Sequence, residues 1–145
     1  MNFPIPIPFA EHLGFELLKF EGGHAEIAID LRPELCNSWM VAHGGVSMTL
    51  LDIVMAHAAR SPTPGVESDG RGCVTIEMKT SFLRPGSGRL LGVGRLLHRS
   101  RSMAFCEGSL LDADGALVAH ATGTFKYLSG LAVGGRVVTR INASD

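Results

Sequence analysis

The chain has 145 residues, 46% hydrophobic and 19% charged, which is long enough for one domain with a substantial core and too apolar for a disordered segment. A formal net charge of -1 excludes the strongly basic profile of a nucleic-acid binder. Cys36, Cys73 and Cys106 are odd in number, widely spaced and free of any CxxC pair, the pattern of reduced thiols in a cytosolic protein.

The amino-terminal stretch Met1-Asn2-Phe3-Pro4-Ile5-Pro6 has no basic n-region and is broken by prolines. It reads neither as a signal peptide nor as a membrane span, so the expected location is cytoplasmic. Residues 8–13 suit one short helical turn ended by Gly14. A strand is expected over 15–21, followed by the strong hairpin signal Gly22-Gly23. Beyond it Ala25, Ile27, Ile29 and Leu31 alternate with His24, Glu26, Ala28 and Asp30, as in a half-buried strand. Residues 35–42 form a connecting loop that carries the only tryptophan, Trp39.

A long helix is expected over 44–60, stopping before Pro62 and Pro64. It is apolar almost all the way round, the mark of a buried helix, yet Asp52 sits in its middle. A buried carboxylate is costly unless it is paired, hydrogen-bonded or functional. After a polar loop at 61–72 come strand candidates at 73–84, 88–98, 103–111 and 116–128, the last preceded by the reversal signal Asp112-Ala113-Asp114-Gly115. Alternation in the first of these assigns Val74, Ile76, Met78, Thr80 and Phe82 to one face and Thr75, Glu77, Lys79 and Ser81 to the other.

The order is therefore two strands, one long helix and four strands, an α+β domain over residues 1–128. One flat sheet cannot cover a helix that is apolar all round. The sheet must curl around it, or a second copy must cover what is left. Residues 129–145, rich in glycine and small side chains, are expected to be a loosely ordered tail.

Several residues carry chemistry. The first turn of a helix exposes unpaired N–H groups and the positive end of the dipole, and glycine lets a ligand approach that backbone. Gly44 and Gly45 either offer N–H groups to the oxyanion formed when an acyl carbonyl is attacked or serve only a tight turn. Asp52 is either a nucleophile or general base toward an acyl group, or a structural acid held by a hydroxyl or a backbone N–H.

Spacing adds a constraint. At 1.5 Å rise per residue, Gly44 and Asp52 lie about 12 Å apart along one helix. An oxyanion donor and an attacking group must both come within about 3 Å of one reacting centre. A single straight helix cannot supply both, so a catalytic pairing of these two residues requires two subunits.

His43 is a candidate general acid, with fixing the turn as the favoured role. Asn37 either binds a substrate carbonyl or water or closes an Asx turn. Thr75 either orients a water or Asp52 or is an ordinary β-branched strand residue. His57 lies five residues after Asp52, more than one helical turn, so the spacing alone does not pair the two. Arg84, Arg89, Arg95, Arg99 and Arg101 crowd into one third of the chain, a bias that suits a small phosphorylated ligand. Arg99-Ser100-Arg101-Ser102 puts two guanidinium groups between two strands, either as a phosphate contact or as a solvated turn.

Taken together, Asn37, His43-Gly44-Gly45 and Asp52 resemble the hotdog-fold acyl-CoA thioesterases, specifically the PaaI-like, phenylacetate-degradation branch. Met40 and Ser100 stand where that branch commonly carries glycine. The similarity continues through Thr75, Phe82-Leu83-Arg84-Pro85, Arg101-Ser102 and Asp114-Gly115, covering residues 15–128. It implies a curled antiparallel sheet wrapped around the long helix, dimers with a continuous sheet, and often tetramers. It also implies an aryl- or short/medium-chain acyl-CoA substrate, with neither metal nor redox cofactor. No nucleic-acid or membrane partner is expected, from the charge balance and the amino-terminal stretch. By the same resemblance the Gly44 N–H polarises the thioester carbonyl, and Asp52 of the partner subunit attacks it or activates water. Asn37 and Thr75 then position water or thioester, His43 joins the catalytic set, and Gly45, Arg84, Pro85, Arg99, Arg101 and Ser102 bind substrate. The alternative is a hotdog module that binds acyl-CoA without turning it over. A hydratase is a third reading, for which no second acid or histidine partners His43.

Overall fold

The computed structural model describes residues 1–66 and 70–128, so the expected tail lies outside the described residues. Helix α1 (Pro8–Leu13) opens on a proline and ends at Gly14, whose φ of 82° is the left-handed cap that glycine adopts freely. Strands β1 (Glu16–Glu21) and β2 (His24–Asp30) form the expected hairpin, with Gly22 and Gly23 both at positive φ. A 3-10 turn at Pro33–Leu35, which periodicity did not predict, leads towards the long helix α2 (Gly44–Arg60). Strands β3 (Gly72–Phe82), β4 (Arg89–Arg99), β5 (Met103–Leu111) and β6 (Leu117–Leu128) follow.

Among the described residues the strands form one six-stranded sheet in the order β1-β2-β4-β5-β6-β3, antiparallel throughout. The sheet curls around α2, which touches all six strands. This is the α+β hotdog arrangement. The buried side of α2 presents Leu50, Leu51, Val54, Met55 and Ala58 to Ile27, Ile29, Leu90, Leu110, Ala121 and Phe125. Each large aliphatic side chain removed from water there contributes about 1.5–3 kcal/mol.

Close approach of helix to sheet depends on strand residues without side chains. A Cβ on Gly94 would stand 2.4 Å from the carbonyl oxygen of Val54, and one on Gly92 3.1 Å from Leu50. Gly108, directly across from Gly94, faces Leu51 and Met55 in the same way. The far end of the helix is fastened too. The Ser61 hydroxyl donates to the carbonyl of Ala58 and accepts from the N–H of Gly23 at 2.7 Å, tying the β1–β2 hairpin to the helix terminus.

Two expectations need correction. First, α2 is not buried on every side. Gly45 and Met48 are exposed, and Asp52, Ile53 and Ala56 are half-buried, because the curled sheet covers only one side of the helix. Second, β3 does not alternate strictly. Its pairing with β6 slips between Thr75 and Glu77, a bulge that inserts Ile76 as an extra residue. The bulge reverses the phase, so Cys73 and Thr75 face the helix on one side of it and Met78 and Phe82 on the other.

Candidate active site

The loop before α2 is built by backbone bonds. The N–H of Asn37 donates to the carbonyl of Val41 at 2.8 Å, and that of Met40 to the carbonyl of Asn37 at 2.9 Å. The Asn37 Oδ1 accepts from the N–H of Trp39 at 3.0 Å and of Val41 at 3.4 Å, the Asx-type role. Met40 has a φ of 59°, the one non-glycine residue at positive φ among the described residues. Met40 stands where the PaaI-like pattern commonly carries glycine, and its backbone has the conformation glycine favours.

His43 caps the helix. Its Nδ1 accepts from the N–H of Gly45 at 2.9 Å, while its carbonyl accepts from the N–H groups of Val46 and Ser47. With Nδ1 accepting, a neutral ring carries its proton on Nε2. The first turn therefore keeps one N–H, that of Gly44, without a partner among the described residues. It lies at a cavity of about 420 Å³ lined by Asn37, Phe82, Arg84 and Pro85 among others. The Phe82 ring packs at ordinary contact distance from where a Gly44 side chain would begin.

Two turns along, Asp52 lies on the half-open side of α2. The Thr75 hydroxyl donates to its Oδ1 at 2.6 Å, a charge-assisted bond that fixes the carboxylate and leaves Oδ2 without a partner among the described residues. Asp52 and Thr75 line a second cavity, of about 660 Å³, which includes none of the residues around Gly44. The two halves of the expected chemistry thus occupy separate cavities of one chain.

The other nominated residues divide between the ends of the helix. Arg84 and Pro85 lie beside its start with Asn37 and Gly44. Arg99, Arg101 and Ser102 lie near its finish. The Ser102 carbonyl accepts from the N–H of Tyr127, whose hydroxyl donates to the carbonyl of Ala59. Arg71 and Arg99 both lie against the Tyr127 ring, at 4.6 and 4.9 Å from its centre, and Arg71 donates to the carbonyl of Arg101.

The structure also gives places to His57, which the sequence left without a role, and to Arg60, which the motifs do not include. His57 is buried; its Nδ1 meets the carbonyl of Ile53 at 2.8 Å, and its Nε2 meets Arg60 at 3.2 Å. Burial holds its pKa down at about 4, with nearby Arg60 adding to the effect and the Ile53 bond opposing it. Burial also lowers the pKa of Arg60. Cys73, close by, is pushed up to about 11 by burial and is an inert thiol. Asp52, Ile53, Ala56, His57 and Arg60 are spaced as one stripe of a helix, so periodicity alone could have grouped them.

A family model described as "Thioesterase superfamily" matches residues 40–119, a span that includes the capped helix, Asp52 and Thr75. The chain belongs to the thioesterase superfamily. As a member it is a thioester hydrolase. It is 29% identical over 136 residues to YigI, a medium/long-chain acyl-CoA thioesterase of Salmonella typhimurium, covering 85% of this chain and 87% of the relative. Among solved structures, this thioesterase is similar to the conserved protein PA5202 of Pseudomonas aeruginosa, with a TM-score of 0.77, 30% identity, and 85% and 95% of the two chains covered. It is also similar to a point mutant of the phenylacetic acid degradation protein PaaI of Thermus thermophilus, with a TM-score of 0.71, 29% identity, and 83% and 98% covered. Among the described residues of the thioesterase, no helix is long and apolar enough to cross a membrane.

Proposed function

We propose that the chain hydrolyses acyl-CoA thioesters as a homodimer of the PaaI-like branch, with each active site shared between protomers. The observation that carries this reading is the unpartnered N–H of Gly44 at a helix start about 12 Å along the axis from the Thr75-held carboxylate of Asp52. The thioester carbonyl oxygen accepts from the Gly44 N–H of one protomer. Oδ2 of Asp52 from the other attacks the carbonyl carbon, giving a mixed anhydride that water then opens, or takes a proton from the attacking water. On either route the C–S bond breaks and CoA leaves as its thiol with a proton that the water gives up. The exposed side of α2 and the outer edge of β3, which among the described residues pairs only with β6, support a second copy packing there in two-fold symmetry. Asn37, Arg84 and Pro85 contact the pantetheine side of the site, and Arg99 and Arg101 supply cations for the CoA phosphates. Similarity to YigI and to PaaI supports an acyl-CoA substrate.

The test follows free thiol release from a panel of acyl-CoA substrates, with Asp52→Asn and Gly44→Pro variants separately and mixed. Each variant alone should be nearly inactive. Random reassociation puts both wild-type groups into one of the two sites of every mixed dimer and should restore about a quarter of wild-type activity. No recovery on mixing, with dimers intact, refutes the shared site. Acyl-CoA binding without turnover by the wild type would make the protein a binding module instead.

A further inference from the structure

The cavity beside Asp52 has a wall that no other part of the site uses. Residues 5–8 line it together with Ile53, Ala56 and Arg60 of α2, Arg60 standing about two turns beyond Asp52 along the helix. The strap they form is Ile-Pro-Ile-Pro, directly after Pro4, so half of its residues have no N–H to satisfy and the surface it offers is apolar. It is fastened at both ends. The Phe3 ring meets His57 edge-on at 5.3 Å between centres, and the Ile7 carbonyl accepts from the N–H of Glu11 as α1 begins.

The far end of the cavity differs in character. The Arg60 guanidinium is held there by His57 and lies 5.8 Å from the centre of the Phe20 ring. No carboxylate pairs with it among the described residues. A methyl terminus pressed against this guanidinium would strip its water and give nothing back, which is unfavourable. Asp52 and Arg60 are eight residues apart on one helix, about 12 Å along the axis.

We infer that the acyl tail of the substrate lies in this cavity, running from Asp52 past Ile53 and Ala56, with the strap at residues 5–8 as its outer wall and Arg60 as the stop that limits its length. The inference rests on the thioesterase reading for the position of the carbonyl. It assigns the enzyme to acyl groups of medium length. Short chains leave the strap uncovered, and long ones meet Arg60.

The test measures binding of non-hydrolysable alkyl-CoA thioethers of increasing length by calorimetry, beside kcat/KM for the matching acyl-CoA series. Wild-type affinity should rise by up to about fourfold per methylene and then level off. Ala56→Phe should bring the plateau to shorter chains, and Arg60→Met should move it to longer ones. The double change Ile5→Ala with Ile7→Ala should flatten the rise for the outer methylenes only. It leaves α2 untouched, and Ile5→Ala alone spares Ile7, which also packs against the core, so these variants serve if a helix variant fails to fold. The same plateau in all folded variants overturns the inference, as does affinity independent of length or no binding at any length. Length-dependent binding that shifts as expected, without hydrolysis of any thioester, keeps this cavity as the acyl site and refutes the hydrolytic reading instead.

Discussion

The Thr75 hydroxyl donates to Asp52 Oδ1 at 2.6 Å although the two residues are 23 positions apart and Thr75 falls, by strict alternation, on the side of β3 facing away from the helix. The bulge at Ile76 brings them together. Thr75→Val keeps the shape and removes the donor, and a hydrogen bond to a charged group is worth about 1.5–3 kcal/mol. A fall in kcat of about tenfold or more is expected, with KM little changed and with recovery in Thr75→Ser. Steady-state kinetics of the three proteins checks it; equal kcat in the valine variant would assign Thr75 to the fold alone.

Gly44→Pro tests the one open N–H of the helix start. Proline is favoured at the first helical position, and His43, at φ -60° and ψ 136°, already has the extended backbone that a residue before proline requires. The substitution therefore removes a donor while preserving the turn. Loss of an oxyanion donor should lower kcat by about 10²–10³ with the melting temperature unchanged within a few degrees. Single-turnover kinetics and calorimetric melting read the two quantities separately.

Gly94 is a steric limit. An alanine there would put its Cβ 2.4 Å from the Val54 carbonyl oxygen, inside any tolerated contact, and backbone cannot rotate away as a side chain can. Gly94→Ala should cost about 3 kcal/mol in urea unfolding. Gly72→Ala, where an added Cβ meets nothing within 4 Å, should change stability by less than about 0.5 kcal/mol.

His57 makes stability depend on pH. Its folded pKa of about 4 lies below the ordinary 6.5, so between those values the unfolded chain binds a proton that the folded chain does not. Stability from this group is complete above about pH 6.5 and is lost as pH falls towards 4, to a total of about 3 kcal/mol. Denaturation at pH 7 and pH 4.5 should show a smaller loss in His57→Gln than in the wild type. Parallel losses in both proteins would exclude His57 as the cause.

Met40→Gly should raise stability slightly. A side chain at φ 59° costs about 1–2 kcal/mol, part of which glycine gives back through the freedom it gains on unfolding. A net gain of about 0.5 kcal/mol is expected from thermal melting. Met40→Ala, which keeps the Cβ, should show none.

What the sequence determined by itself is local. The Gly22-Gly23 hairpin, the helix from Gly44 and the reversal at Asp112-Ala113-Asp114-Gly115 were all readable, because turn chemistry and apolar spacing act between near neighbours. The separation of Gly44 from Asp52 was readable as well, since helical rise is the same in every helix. Tertiary structure alone decided the rest. The bulge at Ile76 that turns Thr75 towards Asp52 arises from pairing with β6, about fifty residues downstream. The need for Gly94 arises only once Val54 is pressed against it. The strap at residues 5–8 becomes a cavity wall only because folding lays it around one space with Ala56, and no periodicity within Ile-Pro-Ile-Pro records what it will face.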